Sequence, residues 1–296
     1  MRKLHSDAED RKRRWKFGQN FLVDETVIRQ IVEDIDCAKD DWVIEIGPGQ
    51  GALTRRLAPL CSRLTAIEID PKWVEHLRER SAWGPLEVIR ADAARIDIDE
   101  LLERHAPEPG RKPLLAGNLP YNRAAPILFH FLPALRRFQS MQVMVQYEVA
   151  KRICASPHSR DFGFLTVFIR NYAEPELLRK ILPDAFRPRP KVFSATVRLK
   201  PLAAPHCEAP GFLRFVEQAF STKRKKLSNS LRPFFPRASV EGLLKELGLD
   251  ENARAEDLSV EQFARAFEAL VRPGSPFSGS QNPEKTPFSE ENLLEA

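Results

Sequence analysis

The chain has 296 residues, 43% of them hydrophobic, enough for one good-sized core and a small appended domain. Its 46 Lys and Arg against 41 Asp and Glu leave a net charge of +5, which permits a polyanionic partner without demanding one. Cys37, Cys61, Cys154 and Cys207 form no C-x-x-C pair and no stretch reaches the roughly 18 apolar residues of a membrane span, which excludes a zinc knuckle, a disulfide framework and a transmembrane helix; no metal is expected, and a soluble, cytoplasmic protein is.

Short apolar runs alternate with helical patterns, the signature of a mostly parallel sheet covered by helices on both faces. Strands are predicted at Trp42–Ile46, Arg63–Ile69, Leu86–Arg90, Pro113–Gly117 and Met141–Gln146, with helices from about Ala52, Pro71, Asp97, Pro126 and Glu148. Proline at position 71 suits a first helical turn, where its missing N–H costs no hydrogen bond. Glu174–Leu182 and Ser194–Leu199 read as late strands around a proline-rich loop, Phe186–Val192, and Pro201–Pro210 reads as a linker. Beyond it Phe212–Phe220, Val240–Leu247 and Val260–Val271 have helical spacing, with Ser259 and Gln262 forming a capping box. From Pro273 onward the composition predicts disorder, so the expected division is 1–204, 205–272 and a tail, 273–296.

Between the first predicted strand and helix lies Glu45-Ile46-Gly47-Pro48-Gly49-Gln50-Gly51-Ala52. Glycines there let the backbone turn tightly and approach a ligand, and Gly47, Gly49 and Ala52 also fit the dinucleotide fingerprint, so the turn alone does not identify a cofactor. Glu68 and Asp92 end the next two strands. Either acid alone would be an ordinary cap; in register with the glycine turn, Glu68 can accept both ribose hydroxyls of NAD or S-adenosylmethionine, and Asp92 can accept from an adenine amine.

The fourth strand end carries Asn118-Leu119-Pro120-Tyr121. An exocyclic adenine amine is a poor nucleophile because its lone pair is delocalised into the ring. The Asn118 side-chain oxygen and the Leu119 carbonyl can accept its hydrogens and push the nitrogen towards tetrahedral geometry, Pro120 fixes the turn without competing as a donor, and Tyr121 can stack on the base.

Together these motifs resemble the ribosomal RNA adenine N6-dimethyltransferases. The resemblance runs from about residue 13 to 275 and rests on Lys16–Leu22, Glu45–Thr54, Glu68, Asp92, Asn118–Asn122, Val145–Arg152 and Phe186–Ser194. It implies an α/β, Rossmann-like class I methyltransferase fold: a doubly wound sheet of seven strands, the last antiparallel, with a small all-α C-terminal domain that binds RNA. It implies S-adenosylmethionine as methyl donor, with Asn20 and Leu22 at its methionine end, Gly47 beside them in the turn with Gly49, Glu68 on the ribose, Asp92 at the adenine and Asn118 near the sulfonium.

Phe220–Leu231, which includes Lys223, Arg224, Lys225 and Lys226, resembles the basic C-terminal helix of the branch that dimethylates two adjacent adenines near the 3′ end of small-subunit rRNA. The expected partner is therefore that RNA in an immature 30S-type particle, met by a monomer. A flipped target base would lie on Tyr121, with Phe186 either on its other face or simply packed in the protein. Arg187, Arg189, Lys191, the Lys223–Lys226 run and Arg11–Lys16 would hold phosphates. Two departures stand out: Arg123-Ala124-Ala125 replaces the common Ile-Ser/Thr, and Tyr147 replaces a basic residue. The alternatives are a large-subunit methyltransferase of the antibiotic-resistance type, a non-catalytic assembly factor on the same fold and, on the glycines alone, a nicotinamide dehydrogenase.

Overall fold

The computed structural model describes residues 20–103, 111–222, 225–271 and 275–277. The basic Arg11–Lys16 cluster, Lys223, Arg224 and most of the C-terminal segment lie outside the described residues. The chain divides into two compact units. One takes the described residues up to Ala150 together with Pro175–Pro201; the other takes Lys151–Glu174 and the described residues from Leu202 onward.

In the first unit a two-residue strand, β1 (Phe21–Leu22), leads to a helix at Glu25–Ile35, whose cap Asp24 accepts from the amides of Thr26 and Val27. The strands that follow are β2 (Trp42–Ile46), β3 (Arg63–Glu68), β4 (Leu86–Arg90), β5 (Leu114–Asn118), β6 (Ser140–Gln146), β7 (Ala173–Ile181), β8 (Phe186–Arg187) and β9 (Ser194–Pro201). Seven of them form one sheet in the order β4-β3-β2-β5-β6-β9-β7. Pairings from β4 across to β6 are parallel, and β9 runs antiparallel to β6, with Met141 opposite Leu199 and Gln146 opposite Ser194. The fold is the seven-stranded, doubly wound sheet with its last strand antiparallel that the family resemblance implies.

Burial follows position in the sheet. All five residues of the central β2 are buried, as a strand covered on both faces requires. The edge strand β7 carries four charged residues, mostly exposed or half-buried, and Pro175, which an edge tolerates. The chain runs outward from β2 through β3 to β4, then returns to β5 on the other side of β2. Parallel neighbours β2 and β5 therefore mark the switch point where an open α/β sheet leaves a crevice beyond its carboxyl ends.

Most elements sit where the apolar periodicity puts them, within one or two residues. The glycine turn delays the helix expected from Ala52, which spans only Thr54–Leu57. Just ahead of the first long helix, β1 pairs with β8 through Phe21 opposite Arg187 and Leu22 opposite Phe186, a ladder that no apolar run announces. β8 thus claims the first two residues of the proline-rich loop.

The second unit contains helices at Phe164–Tyr172, Phe212–Phe220, Leu227–Ser230, Arg237–Glu246 and Val260–Leu270. Ser259 and Gln262 form the expected reciprocal cap, at 3.2 and 2.8 Å. The basic C-terminal helix is not continuous: Phe220 ends one helix, and Lys225 and Lys226 lie in the connection before Leu227. The linker reading of Pro201–Pro210 also gives way. Cys207 is buried, and the Asn171 side chain receives its amide and donates to its carbonyl, both at 3.0 Å. Within the segment expected to be disordered, Phe277 is 4% exposed, its ring stacked on Phe235 and edge-on to Phe215. No helix among the described residues is long and apolar enough to cross a membrane.

Candidate active site

The crevice beyond β2 and β5 opens into a cavity of about 290 Å³. Its floor is the turn after β2, where Gly47, Gly49 and Gly51 have φ of 65°, 54° and 83°, a left-handed region that L side chains rarely adopt. Gly47 donates to Ile67 O at 2.9 Å, which seats the turn against β3. A Cβ at Gly49 would meet the Phe21 ring at 3.0 Å, so the ring would have to yield by a few tenths of an ångström on top of the backbone strain.

Asn20, Leu22, Gly47, Gly49, Glu68, Asp92, Asn118, Leu119, Pro120 and Tyr121 all line this one cavity. From Gly47 to Tyr121 these residues converge because each ends, or closely follows, one of β2, β3, β4 and β5 at the carboxyl end of the sheet. Asn20 and Leu22 arrive through the β1–β8 ladder.

Glu68 is 3% exposed, and its carboxylate is fixed by three backbone amides: Gly49 on Oε2 at 3.0 Å, Ile69 and Asp70 on Oε1 at 2.8 Å. Burial pushes its carboxyl above the usual range, with the amides of Asp70, Gly49 and Ile69 pulling the other way. Asp92 accepts from the Ala94 amide on Oδ1 at 3.0 Å and from Arg123 Nη2 on Oδ2 at 2.7 Å.

Asn118 Nδ2 donates to the Asn20 carbonyl at 3.2 Å, which turns the amide so that its acceptor oxygen is the atom left for the pocket. The Leu119 amide is held by Met144 O at 3.1 Å. The Tyr121 hydroxyl sits 2.6 Å from Ser194 Oγ, anchoring the ring to the start of β9. Burial raises its phenol, against the pull of that hydrogen bond.

Sequence reasoning did not single out two lining residues. Glu45, inside β2, is 1% exposed, and its Oε2 has no hydrogen-bond partner. Burial first, opposed by the Thr54 hydroxyl and reinforced by Glu68, pushes its carboxyl up to about 7. An acid inside an otherwise apolar strand, Trp-Val-Ile-Glu-Ile, was the available signal. Arg123 was noted only as a departure; it lines the cavity and pairs with Asp92.

Phe186 is not brought to the pocket. It is 1% exposed and packs in the core with Leu22, Ile28 and Met144, because the β8 register turns it inward and its neighbour Arg187 outward. Arg187, Arg189 and Lys191 are exposed, with Arg189 3.1 Å from Asp184. Near them Lys180 Nζ lies between two aromatic rings, 4.6 Å from the centre of Tyr147 and 4.1 Å from that of Phe193, an arrangement without a sequence signature. In the second unit Lys225 is exposed and Lys226 bonds to the Asn252 side chain. Among the described residues no His, Cys, Asp and Glu cluster could hold a metal ion.

Comparison with known proteins agrees with this geometry. Residues 10–272 match the family described as ribosomal RNA adenine dimethylase. The ribosomal RNA small subunit methyltransferase A of Mannheimia succiniciproducens is 40% identical over 272 residues, covering 89% of this chain and 91% of that one. Its counterpart in Geobacter metallireducens is 38% identical over 274 residues, covering 90% and 98%. Among solved structures, the 23S rRNA methyltransferase ErmE aligns with a TM-score of 0.63 and 31% identity, over 85% of this chain and 99% of that one. A dimethyladenosine transferase from Plasmodium falciparum gives 0.70 over 84% and 97%, a likeness of fold at 22% identity. With its switch-point cavity, its glycine turn and these relatives, the chain belongs to the ribosomal RNA adenine dimethylase family.

Proposed function

We propose that the protein dimethylates, at N6, two adjacent adenosines in a hairpin near the 3′ end of small-subunit rRNA, with S-adenosylmethionine as methyl donor. The Asn118 amide carries this reading: it is locked by Asn20 with its oxygen as acceptor, in the cavity that Glu68 and Asp92 share. The 36–40% identity to proteins named small subunit methyltransferase A supports the small-subunit substrate over the large-subunit one.

The residues present fit the donor. Gly49 leaves only tight room for a Cβ beside Phe21, Glu68 and Asp92 offer anionic acceptors, and the buried acid Glu45 lines the same cavity, which suits a cationic guest. Asn20, Leu22 and Gly47 would hold the methionine end, Glu68 the ribose hydroxyls and Asp92 the adenine. When bound, S-adenosylmethionine supplies an electrophilic methyl on a positively charged sulfur.

Asn118 Oδ1 and the Leu119 carbonyl accept the two hydrogens of the target amine and aim its lone pair along the axis of attack. Tyr121, its hydroxyl fixed on Ser194, offers a stacking face worth about 1–3 kcal/mol to a flipped base. Once methylated, the nitrogen is cationic and sheds its proton readily, so no catalytic histidine is required. Arg187, Arg189 and Lys191 would grip phosphates and make binding fall steeply with salt, joined by Lys223, Arg224, Lys225 and Lys226. In this reading the protein acts as a cytoplasmic monomer on a partly assembled 30S-type particle.

The test is transfer of labelled methyl to immature 30S particles and, separately, to large-subunit RNA, followed by nucleoside analysis. N6,N6-dimethyladenosine confined to small-subunit RNA is the expected result. Label in large-subunit RNA would assign the resistance-type substrate, and cofactor binding without transfer to either would leave an assembly factor.

A further inference from the structure

We propose that Arg123 is a positioning residue: it presents the Asp92 carboxylate to the exocyclic amine of the cofactor's adenine and so gives the pocket its preference for adenine over a base with a carbonyl at that position. This rests on the methyl-donor reading of the cavity. Asp92 follows the edge strand β4 and is 27% exposed at the side chain, so its carboxylate would rotate and hydrate if the Ala94 amide alone held it. The guanidinium of Arg123, on Oδ2 at 2.7 Å, fixes that rotation. Each carboxylate oxygen has a second lone pair, so the paired Oδ2 can still accept from a guest in the cavity.

Stability does not account for the pair, because solvent-accessible ion pairs of this kind contribute little to it. Its placement accounts for it better. The Arg123 amide donates to Pro120 O at 2.8 Å, within the turn that carries Asn118, and Ile127 donates to Arg123 O at 3.2 Å to start the next helix. β3 and β2 separate β4 from β5 in the sheet, so the Arg123–Asp92 bond is a direct strap from the adenine side of the cavity to the turn that holds the target amine. A fixed anionic acceptor favours an amine, which donates, over a carbonyl, whose oxygen it repels.

The experiment is calorimetric binding of S-adenosylhomocysteine and its deaminated counterpart, S-inosylhomocysteine, to the full chain, Arg123→Ala, Arg123→Lys and Asp92→Asn. The full chain should prefer the adenosyl ligand by tenfold or more, on the order expected for one hydrogen bond to a charged group. Arg123→Ala should erase most of that preference by weakening the adenosyl ligand, Arg123→Lys should recover part of it, and Asp92→Asn should turn it towards the inosyl ligand. Equal weakening of both ligands in Arg123→Ala would reduce Arg123 to a structural support and overturn the proposal. Tighter adenosyl binding in that variant would overturn it too, making Arg123 a competitor for Asp92. If neither ligand binds the full chain, the methyl-donor reading itself falls; a ratio that ignores Arg123 while the adenosyl ligand binds defeats only the present inference.

Discussion

Asn118 works because its two ends are used differently: nitrogen to the Asn20 backbone, oxygen to the pocket. Asn118→Ala should keep cofactor binding within a few-fold and slow methyl transfer by about a hundredfold or more, as expected when a group that orients the reacting atom is lost. Single-turnover assays beside equilibrium binding measure both, and unchanged turnover would sink the mechanism. Glu45 makes a pH prediction with a defined sign. Its carboxyl titrates at 4.5 in the unfolded chain and about 7 in the fold, so both states are protonated below 4.5. Between those values the unfolded chain releases a proton that the fold keeps, so this stabilisation is lost as pH rises and is gone above 7. Relative to wild type, Glu45→Gln should gain about 3 kcal/mol of stability across that window, read from urea midpoints at stepped pH. At this scale the cofactor and amine-holding residues were legible as motifs. The roles of Arg123 and Glu45 were not, although an acid inside an apolar strand marked Glu45, because pairing with Asp92 and burial beside Glu68 depend on where distant strands end.

The strands were legible as apolar runs because a parallel sheet buried on both faces asks only for continuous hydrophobicity. β1 and β8 were not, since two residues carry no period and their pairing joins segments far apart in the chain. The same ladder explains why Phe186, an aromatic in a proline-rich segment, invites a stacking role that its inward register denies it. β5 offers a test of how strictly one strand sets the site. A Cβ at Gly117 would fall 2.5 Å from Ile46 O on β2, backbone that cannot step aside without parting the two strands. Gly117→Ala should cost about 1–3 kcal/mol and, by moving Asn118, lower transfer further than its loss of stability explains. Thermal unfolding with kinetics on the folded fraction separates the two effects.

Across the whole molecule, composition announced a sheet followed by helices but not that the second unit draws on two stretches of chain. An apolar segment follows Gly163. It forms the Phe164–Tyr172 helix, and Asn171 at its end secures Cys207 through both backbone groups. A chain cut after Pro201 keeps every strand yet strips that helix of its partners, so it should be largely insoluble, as sedimentation of the expressed fragment would measure. The interleaving also bears on the protein's own birth. Phe164, Leu165, Val167, Phe168 and Ile169 leave the ribosome well before Phe212–Phe220 and Val260–Leu270, the helices that join them in the second unit. A protein proposed to finish ribosomes thus emerges from one with a greasy helix unclothed, which makes it a natural client of the chaperones that wait at the exit tunnel.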